Sequence, residues 1–307
     1  MDMIAFVFPG QGAQHPRMGE ELLDYPVISR CYEEAAEALG YDVSILCKEE
    51  GADKLNETRW VQPGLFTLEV AIARLVMEEA GVKPAMAAGL SLGEYAALTI
   101  AGVFNFSDAV RLVALRGELM EQAGQGKGTM AAVLGLDQDT VEKAVEAGRH
   151  AGAVWVCNSN APGQLVISGS YEGVEAASAA AKELGARRVM PLSVAGPFHT
   201  PYLQEAEERL YESLTQADIK PCAIPVYANV TGKPHGNPDI IRKTLSEHVT
   251  HPVRWVDCVE AMADAGCSRW YELGPGRTVS GLIKKIIEGA ETQVVNDAAS
   301  YGKVVEG

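Results

Sequence analysis

The segment Gly89-Leu90-Ser91-Leu92-Gly93 leaves this chain few folds to choose from. The apolar run Ala85-Met86-Ala87-Ala88 before it reads as the end of a buried strand, and Glu94-Tyr95-Ala96-Ala97-Leu98 after it reads as a helix. A Gly-x-Ser-x-Gly turn at such a junction forces its serine into strained backbone geometry. The flanking glycines let strand and helix approach closely. The hydroxyl then stands above a sheet, and the first amides of the helix point at any oxyanion that forms beside it. With 31 glycines in 307 residues, a chance match is the competing explanation. The strand before and the helix after argue against it. Ser91 is therefore expected to be a nucleophile.

The rest of the chain alternates strands and helices in keeping with that junction. Strands are expected at Ile4 to Phe8, Ala85 to Leu90, Pro225 to Asn229 and Trp270 to Leu273. Helices are expected from Pro63 to Ala80, Glu94 to Ala101, Ser107 (as cap) to Ala123, Tyr202 to Gln216, Pro238 to Val249 and Val256 to Ala265, with a final one from Val279 to Glu288. Gly124-Gln125-Gly126-Lys127-Gly128 marks a flexible junction. Beyond it the order is strand Thr129 to Leu136, helix Asp139 to His150, strands Val154 to Cys157 and Leu165 to Ser168, helix Tyr171 to Leu184 and strand Arg187 to Val194. That β-α-β-β-α-β order is the split βαβ unit of a ferredoxin-like fold. The expected fold class is α/β, a core with a mainly parallel sheet built from residues 1–125 and 196–307, with a ferredoxin-like subdomain inserted at 126–195.

Composition excludes some roles. A net charge of −15 argues against nucleic acid as a partner. No apolar stretch approaches the ~20 residues that span a bilayer, so no membrane is expected. Ile4 to Phe8 is too short for a signal peptide, and the six scattered cysteines read as reduced thiols. The expected location is the cytoplasm.

A serine nucleophile needs a base. His199, in Ala195-Gly196-Pro197-Phe198-His199-Thr200-Pro201, is held on a rigid loop at the domain junction, where a cleft would lie. Its imidazole is suited to take the serine proton and return it to a leaving group. A loop histidine without a task is the alternative. His248 and His251 have the i, i+3 spacing of a metal pair, but no further ligand cluster accompanies them, so no metal is expected. His15, His150 and His235 read as surface or loop residues.

Arg116 falls within the apolar arc of its helix, between Leu112, Val113, Leu119 and Met120. A guanidinium keeps its proton, so burial demands an anion. That anion is either an internal carboxylate or a substrate carboxylate held by the guanidinium fork. Next to an acylated serine, the second choice implies an acyl group with a free carboxylate. The loop Phe8-Pro9-Gly10-Gln11-Gly12 follows the first strand, where open α/β sheets bind ligands. It lacks the Gly-Lys-Ser/Thr of a phosphate loop, and an ordinary glycine-rich turn is the alternative to a ligand-binding role.

Taken together, Phe8-Pro9-Gly10-Gln11-Gly12, Gly89 to Tyr95, Arg116-Gly117-Glu118-Leu119-Met120, Asn158 to Gln164, Phe198-His199, Pro252-Val253-Arg254-Trp255 and Glu272-Leu273-Gly274-Pro275-Gly276 resemble, in order, the malonyl-CoA:acyl-carrier-protein transacylases. The resemblance spans nearly the whole chain. It implies a hydrolase-like core and a ping-pong transfer in fatty acid biosynthesis. Ser91 would attack the malonyl thioester with His199 as base, and the main-chain amides of Gln11 and Leu92 would hold the oxyanion. Arg116 would clamp the malonyl carboxylate, with Asn160 and Phe198 also at the substrate. The main-chain carbonyl of His248 would orient His199, leaving a Ser-His pair without a carboxylate third member. Malonyl-CoA and the phosphopantetheine thiol of acyl carrier protein would be substrates, no cofactor would be needed, and the enzyme would work as a monomer.

Two positions depart from the common pattern: Leu90 stands where many relatives have histidine, and His248 where many have glutamine. Phe198 looks like the malonyl-selective form, because a ring there crowds an α-methyl branch. Carrier proteins are typically acidic, so docking needs a local basic patch, with Arg187-Arg188 near Lys182, or Lys284-Lys285, as candidates. A polyketide-type acyltransferase would share the whole site. A serine thioesterase would share Ser91 and His199 but would not need a buried Arg116.

Overall fold

The computed structural model describes residues 3–306; Met1, Asp2 and Gly307 lie outside it. The chain opens with β1 (Ile4–Phe8), whose Ala5, Phe6, Val7 and Phe8 are fully buried. Such a continuous apolar run belongs to a strand covered on both faces. Helix α1 (Pro26–Leu39) and the 21-residue α2 (Thr58–Glu78) follow, then β2 (Met86–Gly89), α3 (Gly93–Ile100) and α4 (Phe106–Gly124). The chain continues through β3 (Thr129–Leu134), α5 (Gln138–Gly148), β4 (Val154–Ala161), β5 (Gln164–Gly169), α6 (Tyr171–Glu183) and β6 (Arg188–Pro191). It returns through α7 (Gln204–Gln216), β7 (Val226–Ala228), β8 (Lys233–Pro234), α8 (Pro238–Glu247), β9 (Val253–Arg254) and α9 (Trp255–Asp264). The last elements are β10 (Arg269–Leu273), α10 (Thr278–Ile286), β11 (Glu291–Val295) and α11 (Ala298–Val305).

The first sheet has the strand order β11-β10-β1-β2-β7-β8 and is parallel except at β8, which turns back on β7. The second has the order β6-β3-β5-β4-β9. Its first four strands pair antiparallel, in the arrangement of the expected ferredoxin-like unit. The α/β architecture thus agrees with the sequence reading. The fifth strand, β9, was not expected. It comes from outside 126–195 and pairs parallel to β4 through Asn158 and Val253, so the second sheet is bonded to the chain that carries the first.

Several boundaries differ from expectation. Helix α2 begins at Thr58, so Pro63 lies inside it rather than at its start. The proline removes one helix bond. Burial of Leu65, Phe66, Leu68 and Ile72 against α1, α3 and α4 offsets this, at about 1.5–3 kcal/mol for each large side chain. By length and composition α2 is the one described helix able to cross a membrane, contrary to the expectation that no stretch came close. In the fold most of it is core. Asn105, not Ser107, caps α4 by accepting the Asp108 amide. The strand expected to reach Val194 stops at Pro191, although the Leu192 N–H still donates to the Met130 carbonyl at 2.9 Å. Helix α1, β11 and α11 were not anticipated. Of these, β11 extends the parallel sheet and forms its edge beside β10, and α11 packs against β11.

The Glu272 motif owes its composition to packing. The Glu272 carboxylate accepts the Val279 and Ser280 amides at 2.9 and 2.7 Å, capping α10. A side chain on Gly274 would come within 2.8 Å of the Pro9 ring, so this glycine lets the loop after β1 sit close.

Candidate active site

Ser91 occupies the turn between β2 and α3 with φ of 52°, in the left-handed region that non-glycine residues avoid. The glycines around it are required by contact. A Cβ on Gly89 would stand 1.8 Å from the Gly93 carbonyl carbon, and one on Gly93 would stand 2.5 Å from the carbonyl oxygens of Phe8 and Pro9. A Cβ on Gly10 would stand 2.4 Å from the Leu90 carbonyl oxygen. Bare backbone at these three positions brings the β1 loop and the serine turn into contact. No hydrogen bond among the described residues takes up the main-chain amides of Gln11 or Leu92. Both belong to this contact zone, the Leu92 amide at the start of α3, where the helix dipole favours negative charge.

His199 is buried, also at positive φ (60°), and its Nε2 lies 3.0 Å from Ser91 Oγ. Its Nδ1 lies 2.7 Å from the His248 carbonyl oxygen. A carbonyl only accepts, so Nδ1 carries the proton in the neutral ring and Nε2 is the acceptor facing the serine hydroxyl. Burial, with repulsion from Arg116, pulls the His199 pKa from 6.5 down to about 4. The imidazole is therefore neutral at pH 7.

Arg116 is fully buried on α4. Its Nη1 donates to Gln62 Oε1 at 2.8 Å and its Nη2 to Ser91 Oγ at 3.1 Å. Its Nε has no partner, and its guanidinium lies 5.7 Å from the centre of the Tyr95 ring. Among the described residues no carboxylate pairs with it, which removes the internal-carboxylate alternative. Burial accordingly lowers its pKa, although it stays a cation at neutral pH.

Ser91 and His199 border one cleft of about 410 Å³ between the two sheets, lined also by Gln11, Gln62, Leu90, Asn160 and Phe198, and the buried Arg116 reaches it through Ser91 Oγ and Gln62. Gln11 Oε1 and Asn160 Oδ1 are buried at the cleft without hydrogen-bond partners. Phe198 is almost wholly buried, and its carbonyl accepts from Ser168 at 2.9 Å. The His248 ring lies 5.2 Å from that of His199, its side chain fully buried, with Nδ1 3.5 Å from Glu94 Oε2 and neither ring nitrogen in a hydrogen bond among the described residues.

An acyl transferase domain model matches residues 5–303. The malonyl CoA-acyl carrier protein transacylase of Escherichia coli is 41% identical over 100% of both chains. The chain belongs to the malonyl CoA-acyl carrier protein transacylase family. Solved structures agree. An acyl carrier protein S-malonyltransferase from Vibrio cholerae superposes with a TM-score of 0.94 at 40% identity, covering 98% of this chain and 99% of that one. A malonyl-transacylase in complex with its type II PKS acyl-carrier protein gives 0.95 at 39% identity, covering 99% of each.

As a transacylase-family site, this one contains residues that the sequence reading missed. Gln62 is a buried amide on the apolar helix α2, a polar outlier that could have been noticed. Glu94 is fully buried, the single charge of α3, and accepts His235 Nε2 at 2.9 Å and the Asn229 amide at 2.8 Å. His235 lies on the loop between β8 and α8, in line with a surface or loop residue, but its side chain is completely buried against Glu94. Only the return of β7 and β8 beside β2 brings these residues together, so no local signal pointed to the pairing.

Proposed function

We propose that this chain moves a malonyl group from coenzyme A to the phosphopantetheine thiol of acyl carrier protein by way of a malonyl ester on Ser91. The observation that carries the reading is Ser91 Oγ, set between His199 Nε2 at 3.0 Å and the buried Arg116 Nη2 at 3.1 Å. A nucleophile in hydrogen-bond contact with a carboxylate-free guanidinium is suited to an acyl group bearing its own carboxylate. The names of the relatives supply the substrates.

In the first half-reaction Ser91 Oγ attacks the thioester carbonyl as its proton passes to His199 Nε2. The amides of Gln11 and Leu92 receive the oxyanion. The tetrahedral adduct collapses, the C–S bond breaks, and His199 returns the proton to the departing coenzyme A thiol. In the second half the phosphopantetheine thiol gives its proton to His199 and attacks the ester. Ser91 then leaves with that proton. Arg116 holds the carboxylate throughout, and Gln62 fixes Arg116. The His248 carbonyl keeps His199 in the tautomer this needs, so no carboxylate third member is required. Gln11 and Asn160 line the cleft around the acyl group, and Phe198 crowds an α-methyl branch. Both acyl carriers enter as substrates, and the chain's own side chains supply base, nucleophile and clamp.

The related complex with a type II PKS carrier keeps a polyketide-type carrier as a second reading of the acceptor. Intact-mass spectrometry tests the proposal. Malonyl-CoA should add one malonyl group to the wild-type chain and none to Ser91→Ala, and holo carrier protein should remove it. An adduct that persists in Ser91→Ala, or one lost to water as fast as to the carrier thiol, would reject the mechanism.

A further inference from the structure

Asn229, fully buried just past the end of β7, spans the serine turn with its side chain. Its Oδ1 accepts the Ser91 N–H at 2.7 Å, and its Nδ2 donates to the Gly89 carbonyl at 2.8 Å. The Glu94 N–H donates to the Ser91 carbonyl at 3.2 Å, so the peptide groups on both sides of Ser91 are fixed. A left-handed φ in a serine persists only where the surroundings over-determine it. A planar amide, with one donor and one acceptor side by side, matches the two ends of this turn.

Asn229 is itself anchored. Its N–H donates to Glu94 Oε2 at 2.8 Å, and Glu94 Oε1 meets His235 Nε2 at 2.9 Å. His235 Nδ1 lies 3.2 Å from Thr244 Oγ1 on α8. That helix ends at Glu247 and is capped by His248, whose carbonyl fixes His199. One buried carboxylate therefore links the serine turn to the helix that orients the base.

We propose that Asn229 is a positioning residue that staples the strained turn and keeps Ser91 Oγ in line with His199 Nε2. The inference rests on the reading of Ser91 as nucleophile. Without the staple the Ser91 backbone relaxes and the hydroxyl swings away from the base.

The test compares wild type, Asn229→Ala and Asn229→Asp as full-length folded proteins, with melting temperatures recorded. Asn229→Asp preserves shape and the acceptor for Ser91, but sets a carboxylate oxygen against the Gly89 carbonyl, so it serves if the alanine variant fails to fold. Two rates are followed by intact mass: labelling of Ser91 by a fluorophosphonate, and malonyl adduct formation at saturating malonyl-CoA. Both should fall about 100-fold in the variants, the scale expected for an ångström of misplacement. The half-saturating malonyl-CoA concentration should hold. Labelling of a folded variant at the wild-type rate overturns the proposal, as does a loss of rate matched by an equal loss of affinity, which signals a generally damaged pocket. A wild-type chain that takes the fluorophosphonate on Ser91 but no malonyl group would defeat the proposed function. The staple would still be judged by the variants' labelling.

Discussion

Arg116 and His199 influence each other across Ser91. The guanidinium adds to burial in holding the imidazole neutral, and the imidazole is useful as a base only while neutral. The acid limb of kcat/KM for acylation should therefore lie near pH 4, the value to which His199 is lowered. It should move upward in Arg116→Ala, where the repelling cation is gone. A limb that stays in place would show that Arg116 does not reach the base. The same lowering has a stability consequence. Neutral His199 favours the folded state above its ordinary pKa of 6.5, and that contribution is lost as pH falls through about 4. In the proposed clamp role, Arg116 would form charge-assisted bonds of about 1.5–3 kcal/mol each. Arg116→Ala should cut kcat/KM for malonyl-CoA about 100-fold and that for acetyl-CoA far less. Equal losses would remove the clamp role.

At the scale of elements, the β1 loop and the β2-α3 turn form one unit because backbone touches backbone. Gly10 permits the contact, since any Cβ there meets the Leu90 carbonyl oxygen at 2.4 Å. Gly10→Ala must push the loop outward and carry the Gln11 amide with it. Acylation should slow by a factor of about 100, as for loss of one oxyanion donor. Overpacking should cost about 1–3 kcal/mol in urea denaturation. A variant with normal acylation and lowered stability would place the oxyanion donors elsewhere. The glycines around Ser91 were legible in the sequence because their spacing is local. The cap of α4 was misread because Ser107 and Asn105 are both good caps, and only the Asp108 amide bonded to Asn105 decides between them.

Across the whole molecule the charge of −15 sets a docking problem, because an acidic carrier is repelled at long range. Arg188 lies exposed on β6, the edge strand of the second sheet, and Lys285 on α10 donates to Gln164 Oε1 at 2.9 Å, at the turn between β4 and β5. We propose these basic groups, with Arg187 and Lys284, as docking sites on the unit at 126–195 and its neighbour α10. Charge reversal of either pair should slow carrier-protein transfer at low salt, with the effect fading as salt rises. Malonyl loading of Ser91 should stay unchanged. If neither reversal slows transfer, the carrier docks on another face.

Local order was readable from the residues alone. Apolar runs, caps and glycine spacing fix short-range backbone geometry, so the strand-turn-helix around Ser91, the β-α-β-β-α-β order and the misplaced charge at Arg116 were all evident. Long-range partners were not. That Arg116 meets Gln62 rather than a carboxylate, that His235 is buried on Glu94, and that Asn229 reaches back to Ser91 depend on contacts between residues 54, 141 and 138 positions apart. Such contacts arise when the sheet packs β1, β2 and β7 side by side and α2 against α4. A side chain's neighbours across that packing leave no periodic trace in the sequence, so only the tertiary structure decided them.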